Sequence, residues 1–271
     1  MKVIISHDVD HITPWEHIAR DLIIPKFWIR TFLETGLGYI SAKELKARVE
    51  EMINNKWNYI EELMDFDKSY GIPSTFFIGV ANGKGLSYSL DKAAYWIKRI
   101  VANGFDVGVH GICYTDPEGI RKEFETFAQI VGHREFGVRM HYLRLNANTL
   151  RYLAEAGYIF DSSLYRLDNP FEVDRIWEFP LHIMDSFVFE STNFLHLKNS
   201  SFEDAKLKTL KIIEKADKIG IKYLTVLHHD RLFSNAYSEV KKWYEWLVNY
   251  LKNEGVEFVS YKSAIKELKA G

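Results

Sequence analysis

Short apolar runs alternate along this chain with longer segments in which apolar residues recur every three or four positions. Runs of the first kind are typical of buried β-strands, and segments of the second kind are typical of helices that pack on one face. Strands are predicted at 3–5, 74–79, 105–110, 136–139, 158–161, 177–181, 222–228 and 256–260, and helices at 14–70, 90–103, 117–131, 148–156, 203–218, 237–253 and 263–269. Strands and helices that alternate in this way form parallel sheets with crossover helices. The pattern therefore predicts one α/β domain over residues 1–271, whose strand count and length fit a (β/α) barrel of seven or eight strands.

The first long helical segment carries recognisable start and stop signals. Thr13 precedes Pro14, which is a favoured first residue of a helix. Ser41 is followed three residues later by Glu44, which is the capping-box pattern. From Ser41 we expect one continuous helix that ends at Gly71. The apolar residues at helical spacing along it are Val49, Met52, Ile53, Trp57, Ile60, Leu63 and Met64.

Clusters of polar side chains follow the predicted strands at the point where each strand ends. The first cluster, residues 6–11, holds two carboxylates and two imidazoles, and Asp8 and Asp10 share one face if the strand continues. Two carboxylates on one face repel each other unless a cation or a shared proton lies between them. A single cluster of this kind is equally well explained as a solvated loop, but the pattern recurs at four later strand ends, where parallel sheets and barrels bind their ligands. The residues collected at this edge are Asp8, Asp10, His110, Arg139, His141, Asp161 and His229.

Carboxylate oxygens and imidazole nitrogens together favour a divalent metal such as Zn²⁺. The chain has one cysteine, Cys113, so it forms neither an internal disulfide nor a zinc site built on cysteines. A mixed site of aspartate and histidine with an open coordination position activates water and polarises a carbonyl. An aspartate outside the coordination sphere then accepts a proton, and a histidine on the other side delivers one to the leaving group.

Composition narrows the possible partners. The formal net charge is −2 with 27% charged residues, so no basic surplus indicates nucleic-acid binding. No apolar run reaches the length of a membrane span, and the chain opens directly on a strand instead of a signal peptide. We therefore expect a cytoplasmic protein that acts on a small molecule or an oligosaccharide, with an oligomeric state that the sequence leaves open.

Taken in order, the polar clusters resemble the motif set of the polysaccharide deacetylases, the NodB-homology carbohydrate esterases of the family 4 type. The first motif of that family is an Asp-Asp pair after a strand, and Ser-His-Asp-Val-Asp at 6–10 is similar to it, with one residue between the acids. The fifth motif, Leu-x-Leu-His-Asp, is similar to Val-Leu-His-His-Asp at 226–230. The remaining motifs resemble the segments 106–114, 139–142 and 160–164, and the strand on the substrate side resembles 74–78. The ordered set spans nearly the whole chain, in a divergent His-Asp-x-Asp form.

The resemblance implies a distorted (β/α)7 barrel that uses one divalent metal to remove acyl groups from amino sugars. It implies that Asp8 is the catalytic base, that Arg139 orients this base, and that His229 is the catalytic acid. It also implies that Asp10 and His110 bind the metal. Zn²⁺ is the expected ion, with Co²⁺, Ni²⁺ and Mn²⁺ as alternatives. His228 stays an alternative to His229, because neighbouring residues of a strand face opposite sides.

The chain departs from the family pattern at the second metal histidine. That residue is expected four positions after His110, where this chain has Tyr114, and a neutral phenol is a poor zinc ligand. The proline of the third motif is replaced by His141, which we expect to supply the missing imidazole. The helical segment at about 14–70 is expected to be an insertion after the first motif.

Three further residues are predicted to contact the substrate. Tyr142 and Trp177 offer aromatic rings that stack on sugars, and Asp161 corresponds to the fourth motif. The favoured activity is removal of an acetyl or formyl group from an N-acylated sugar or a related amide. A non-catalytic relative that binds metal or sugar is one alternative, favoured by Tyr114, and an allantoinase-like hydrolase of cyclic amides is another. Retention of a base, its partner and an acid argues for an enzyme.

Overall fold

A computed structural model describes residues 1–18, 22–189 and 200–270. In these residues the strands are β1 (Lys2–Val9), β2 (Thr75–Ile78), β3 (Asp106–Gly111), β4 (Val138–Met140), β5 (Phe160–Asp161), β6 (Phe171–Val173), β7 (Ile176–Glu178), β8 (Ile183–Met184), β9 (Tyr223–Leu227) and β10 (Glu257–Phe258). The α-helices are α1 (Ile23–Gly36), α2 (Ala42–Ile53), α3 (Ile60–Tyr70), α4 (Leu90–Ala102), α5 (Pro117–Val131), α6 (Thr149–Ala156), α7 (Asp185–Phe189), α8 (Phe202–Lys218), α9 (Ser238–Asn253) and α10 (Tyr261–Ala270). Short 3-10 helices lie at Pro14–His17, His141–Leu143, Asp230–Leu232 and Asn235–Tyr237.

All these strands belong to one sheet, in the order β6-β7-β5-β4-β3-β2-β1-β9-β8, with β10 also paired to β1. The pairs are parallel, as the alternation of strands and helices predicts, except for the antiparallel pair β6–β7. The α/β class and the single-domain organisation are confirmed. Pro180 follows β7, so this proline marks the end of the strand, which has a partner on each side.

The sheet is curled into a half-barrel, and aromatic rings fill its inner side. Phe77 on β2 and Phe160 on β5 have ring centroids 6.2 Å apart, although β3 and β4 lie between their strands in the sheet. Glycines make this possible: a Cβ at Gly108 would stand 2.6 Å from the ring of Phe77, and one at Gly137 would stand 2.4 Å from that of Phe160. Tyr261 at the start of α10 stacks on Phe160 at 4.3 Å. The inner core therefore closes one end of the curl and leaves the carboxyl ends of the strands for polar groups.

The helical segment after β1 has the expected N-terminal caps, but it contains one break that was not expected. Thr13 and Ser41 each form a capping box, and Gly71 ends α3 with φ 69°. The continuous helix predicted from Ser41 to Gly71 is wrong, because α2 ends at Ile53 and Asn55 takes the left-handed φ of 51°. Ile53 is consequently 75% exposed instead of buried. Helical spacing alone does not reveal such a break, since the pattern resumes in phase after it. Whether these helices are an insertion stays a prediction.

Across the described ranges, none of the helices combines the length and apolar character that crossing a bilayer requires. The expected cytoplasmic location stays a prediction.

Candidate metal centre and active site

Side chains of alternate residues of β1 lie on opposite faces of the sheet, and one set of them enters the curl. Ser6 and Asp8 face inward: Asp8 lies 3.6 Å from Arg139 Nη1, and Ser6 accepts a hydrogen bond from Arg139. His7 faces outward, where its Nε2 lies 2.8 Å from Asp67 Oδ2 on α3. Asp10, just past the strand, returns to the inner side, because strand side chains alternate. His110 and Arg139 enter from β3 and β4, where they are register partners.

Three ligand-type atoms meet at this edge. His110 Nε2 lies 3.1 Å from Asp10 Oδ1 and 3.0 Å from His141 Nδ1, and His141 Nδ1 lies 3.2 Å from Asp10 Oδ1. Nitrogen and oxygen ligands of one zinc ion stand about 3.0–3.4 Å apart, because each is about 2.1 Å from the ion. These three residues form the one cluster of this kind found among the residues the structure describes. We name Asp10, His110 and His141 the metal triad.

Backbone carbonyls fix the direction of both imidazoles in the triad. His110 Nδ1 lies 3.0 Å from the carbonyl oxygen of Arg139, and His141 Nε2 lies 3.0 Å from that of Lys84. A carbonyl only accepts, so these two ring nitrogens carry the protons, and the opposite nitrogens of the neutral rings present lone pairs. Two ring nitrogens and a carboxylate oxygen thus converge on one point. A shared proton or a cation between them relieves their repulsion, and the donor set fits a divalent metal.

Asp8 and Arg139 form a buried pair beside the triad. Asp8 Oδ1 lies 3.6 Å from Arg139 Nη1, and Asp8 Oδ1 has no hydrogen-bond partner within the described ranges. Arg139 Nη2 donates toward the hydroxyls of Ser6, Ser162 and Tyr261 at 2.9–3.1 Å, which fixes the guanidinium. Asp8 therefore keeps an unused acceptor atom next to a fixed positive charge.

His229 lies on the other side of Asp10, with its Nε2 3.7 Å from Asp10 Oδ2. Asp185, at the start of α7, accepts a hydrogen bond from the His229 backbone N–H at 2.6 Å and lies 2.7 Å from His229 Nδ1. Burial opposes a charge on this imidazole, but the Asp185 carboxylate outweighs it and raises the pKa of His229 to about 10. The side chain is 21% exposed and its Nε2 points toward the triad, which is the geometry of a proton donor to a bound substrate.

His228 is directed away from this edge. Its ring is fully buried and stacks on Tyr244 of α9, with centroids 4.5 Å apart. Burial lowers the pKa of His228 below its ordinary value. Of the two adjacent histidines, His229 is the one next to the triad.

The three residues predicted to contact a substrate differ in how far they are exposed to solvent. Tyr142 follows His141 directly, is 56% exposed, and takes a left-handed φ of 58°, so its ring stands at the open edge. Asp161 is fully buried: Ser163 donates to it through its hydroxyl and its backbone N–H, and Glu178 hydrogen-bonds to it. Trp177 packs against the aromatic core inside the curl. Tyr142 is thus exposed at the edge that carries the triad, whereas Asp161 is buried and Trp177 packs on the inner core. Contact of these three residues with a substrate stays a prediction.

Asp185 contacts His229 in the site, although the sequence pattern did not indicate it. It lies in a segment whose two-residue strand and five-residue helix were not predicted. Elements this short leave no periodic signal, and only the folded chain brings Asp185 to His229, 44 residues later.

No protein-family model matches this sequence, and no curated protein matches it. Solved structures do share its fold. A candidate polysaccharide deacetylase from Mycobacterium smegmatis is 17% identical and superposes with a TM-score of 0.66, over 99% of this chain and 90% of that one. A mutant with restored enzymatic activity of a CE4 family pseudoenzyme from Bacillus anthracis is 10% identical, with a TM-score of 0.50 over 97% of this chain and 66% of that one. A GH57 branching enzyme from Thermococcus kodakaraensis is 11% identical, with a TM-score of 0.53 over 98% and 71%.

At these identities the likeness shows the fold. The chain has the NodB-like fold of the polysaccharide deacetylases, as its motifs predict, and the GH57 branching enzyme shares this architecture.

Proposed function

We propose that this protein is a metal-dependent hydrolase that removes an acetyl or formyl group from an N-acylated sugar or a related amide. The observation that carries the proposal is the metal triad, in which carbonyls orient two imidazole lone pairs toward the Asp10 carboxylate. Asp10, His110 and His141 would hold Zn²⁺, with Co²⁺, Ni²⁺ or Mn²⁺ as substitutes. When bound, such an ion polarises the amide carbonyl and makes water more acidic.

The remaining groups supply the proton transfers that amide hydrolysis needs. Asp8 acts as the base through its unpaired Oδ1, and Arg139 holds it in place. His229 acts as the acid: Asp185 fixes its tautomer at Nδ1, so its Nε2 delivers the proton to the leaving nitrogen. Asp8 and Arg139 enter from β1 and β4 as a pair beside the triad, and His229, just past β9, lies on the other side of Asp10.

The open edge beside the triad fits a sugar ring. Tyr142 lies next to His141, with ring centroids 4.0 Å apart, and the Arg144 guanidinium lies 4.9 Å from the Tyr142 ring. An exposed aromatic ring at this position stacks on the apolar face of a sugar. In the same proposal, the seven parallel strands of a distorted (β/α)7 barrel are β1, β2, β3, β4, β5, β7 and β9. The remaining strands are β6 and β8, at the two ends of the sheet, and the short β10, which pairs with β1.

Metal content is the first test. After removal of metal and reloading with Zn²⁺, elemental analysis should give about one ion per chain in the wild type and in His133→Ala, an exposed control. His110→Ala and His141→Ala should each lose most of it. Equal metal content in all four proteins overturns the triad.

Turnover is the second test. Acetate or formate release should be measured on a panel of N-acetylated and N-formylated sugars, with cyclic amides included. Asp8→Asn should keep its metal and lose most activity. A wild type that binds metal but hydrolyses no substrate on the panel would instead favour a non-catalytic metal-binding relative, which Tyr114 in place of the expected histidine supports.

A further inference from the structure

Helix α1 buries polar side chains and exposes apolar ones. Arg48 of α2 donates to Thr31 Oγ1 at 3.1 Å and to Glu34 Oε2 at 2.8 Å, and all three residues are buried. Arg30 donates to Glu34 from the same helix. A surface helix normally has the opposite arrangement, with its apolar stripe toward the core. The inner face of α1 is thus held by this polar network together with the apolar cluster of Phe27, Met52 and Trp57.

The outer face of α1 is mainly apolar, with Lys26 as the charged residue within it. Its apolar residues and their exposed fractions are Leu22 (80%), Ile29 (52%), Phe32 (66%), Leu33 (40%) and Leu37 (56%). At 100° per residue these five side chains fall within an arc of about 140°. We name this set the α1 stripe. Nothing in the described ranges covers it, and a contiguous apolar stripe of this kind marks an interaction surface.

The exposed charged residues of α1 and α2 are mainly lysines. Lys26 on α1 and Lys43 and Lys46 on α2 are exposed, and Glu50, the exposed acid among the acidic residues at 22–53, pairs with Lys46. The other acids in this range are buried: Glu34, Glu44 and Glu51. An apolar stripe beside lysines complements an anionic surface with an apolar interior, which is what a phospholipid bilayer with acidic head groups presents.

A second copy of the chain fits this face less well. The 14 residues of α1 span about 21 Å, and a stripe about 10 Å wide gives about 200 Å². A stable dimer buries about 800 Å² on each partner. A two-fold interface would also bring the lysines of the two copies to the same contact, where like charges repel.

We propose that α1 binds the surface of an anionic phospholipid bilayer, with the α1 stripe in the head-group region and Lys26 and Lys43 facing the acidic lipids. The helix is linked to the metal centre through ring contacts. Phe27 contacts Trp57 at 5.3 Å, and Trp57 contacts His11, the neighbour of Asp10, at 5.6 Å. Bound in this way, the protein carries its metal centre close to the bilayer surface.

Vesicle sedimentation tests the proposal without any assay of activity. Wild-type protein should bind vesicles of phosphatidylcholine with phosphatidylglycerol, and should bind vesicles of phosphatidylcholine alone at least tenfold more weakly. The double variant Ile29→Ser/Phe32→Ser should bind the anionic vesicles at least tenfold more weakly than the wild type. The matched control is Leu207→Ser/Ile219→Ser, which replaces two apolar residues of similar exposure elsewhere and should bind like the wild type. Lys26→Gln/Lys43→Gln should weaken binding by roughly fivefold per lysine.

Absence of wild-type binding to the anionic vesicles overturns the proposal, and so does equal binding by the stripe variant and its control. Light scattering tests whether a second copy of the chain covers the α1 stripe instead. A wild-type dimer that becomes a monomer in Ile29→Ser/Phe32→Ser would assign the stripe to that second copy. The substituted side chains are exposed, so thermal unfolding should be unchanged in both double variants. Metal content should also be unchanged, which separates this test from that of the hydrolase.

Discussion

Asp185 binds His229 at two points, through the backbone N–H at 2.6 Å and through ring Nδ1 at 2.7 Å. The carboxylate therefore fixes both the position and the tautomer of the imidazole. Asp185→Asn keeps the shape of the side chain but removes its charge. We expect kcat to fall at least tenfold with KM and metal content nearly unchanged, because proton delivery by a positioned acid contributes about 10²–10⁴ to the rate.

The adjacent histidine provides the control for this prediction. His228→Phe replaces a buried ring that stacks on Tyr244 and should reduce stability more than kcat. If His228→Phe removes turnover in a folded protein while His229→Ala does not, the acid has been assigned to the wrong residue.

Gly85 is predicted to control metal affinity from outside the triad. It takes a φ of +86°, and a Cβ there would stand 2.7 Å from Tyr142 Oη and 3.4 Å from His141 Nε2. Gly85→Ala should therefore disturb the hydrogen bond from His141 to the Lys84 carbonyl. Loss of an orienting partner of this kind weakens metal binding by about 10–100-fold. Competition with a chelator measures the Zn²⁺ dissociation constant.

Gly104 offers a matched control, since it has the same φ of +86° and a Cβ there meets nothing within 4 Å. Both alanine variants should lose about 1 kcal/mol of stability from backbone strain. Unchanged zinc affinity in Gly85→Ala would show that the carbonyl contact does not matter for the ligand.

Glu178 and Asp161 form a buried carboxyl pair on β7 and β5 that makes stability depend on pH. Burial, reinforced by the charge of Asp161, raises the pKa of Glu178 well above its ordinary value of 4.5. The folded protein thus retains a proton that the unfolded chain releases above about pH 4.5, so the free energy of unfolding should fall as pH rises toward the folded pKa. Glu178→Gln should reduce this decline between pH 5 and pH 8, as measured by urea unfolding. Glu172→Gln, an exposed neighbour on β6, should leave the slope unchanged.

The Glu34–Arg48 ion pair should contribute strongly to the stability of the helical segment. Both side chains are buried, and the Arg48 Nη1 to Glu34 Oε2 distance is 2.8 Å. Arg48→Met removes the buried guanidinium from a buried carboxylate that also contacts Arg30, so we expect a loss of roughly 3 kcal/mol in the free energy of unfolding. Lys46→Met breaks an exposed pair with Glu50 and should cost about 0–1 kcal/mol. Similar losses in both variants would contradict the prediction.

The alternation of apolar runs was sufficient to predict the α/β class, the parallel pairing and most element positions. Helix starts such as Ser41–Glu44 were predictable because the capping box is a local signal. The break at Asn55 and the short elements β8 and α7 were not, since they are decided by packing against residues far along the chain.

For the site, the sequence by itself determined which side chains stand at the strand ends. Strand alternation sends Asp8 to the inner face and His7 to α3, and the absent histidine at Tyr114 pointed to His141. Only the tertiary structure decided that His141 meets His110 and Asp10 within 3.2 Å, that the Lys84 carbonyl orients it, and that Asp185 holds His229. The physical reason is that metal binding tolerates errors of only a few tenths of an ångström in the distances between ligand atoms. Here the residues that carry those atoms are 31 to 131 positions apart in the sequence. Such distances are fixed by the curl of the sheet and the packing of its inner core, which no local pattern of residues records.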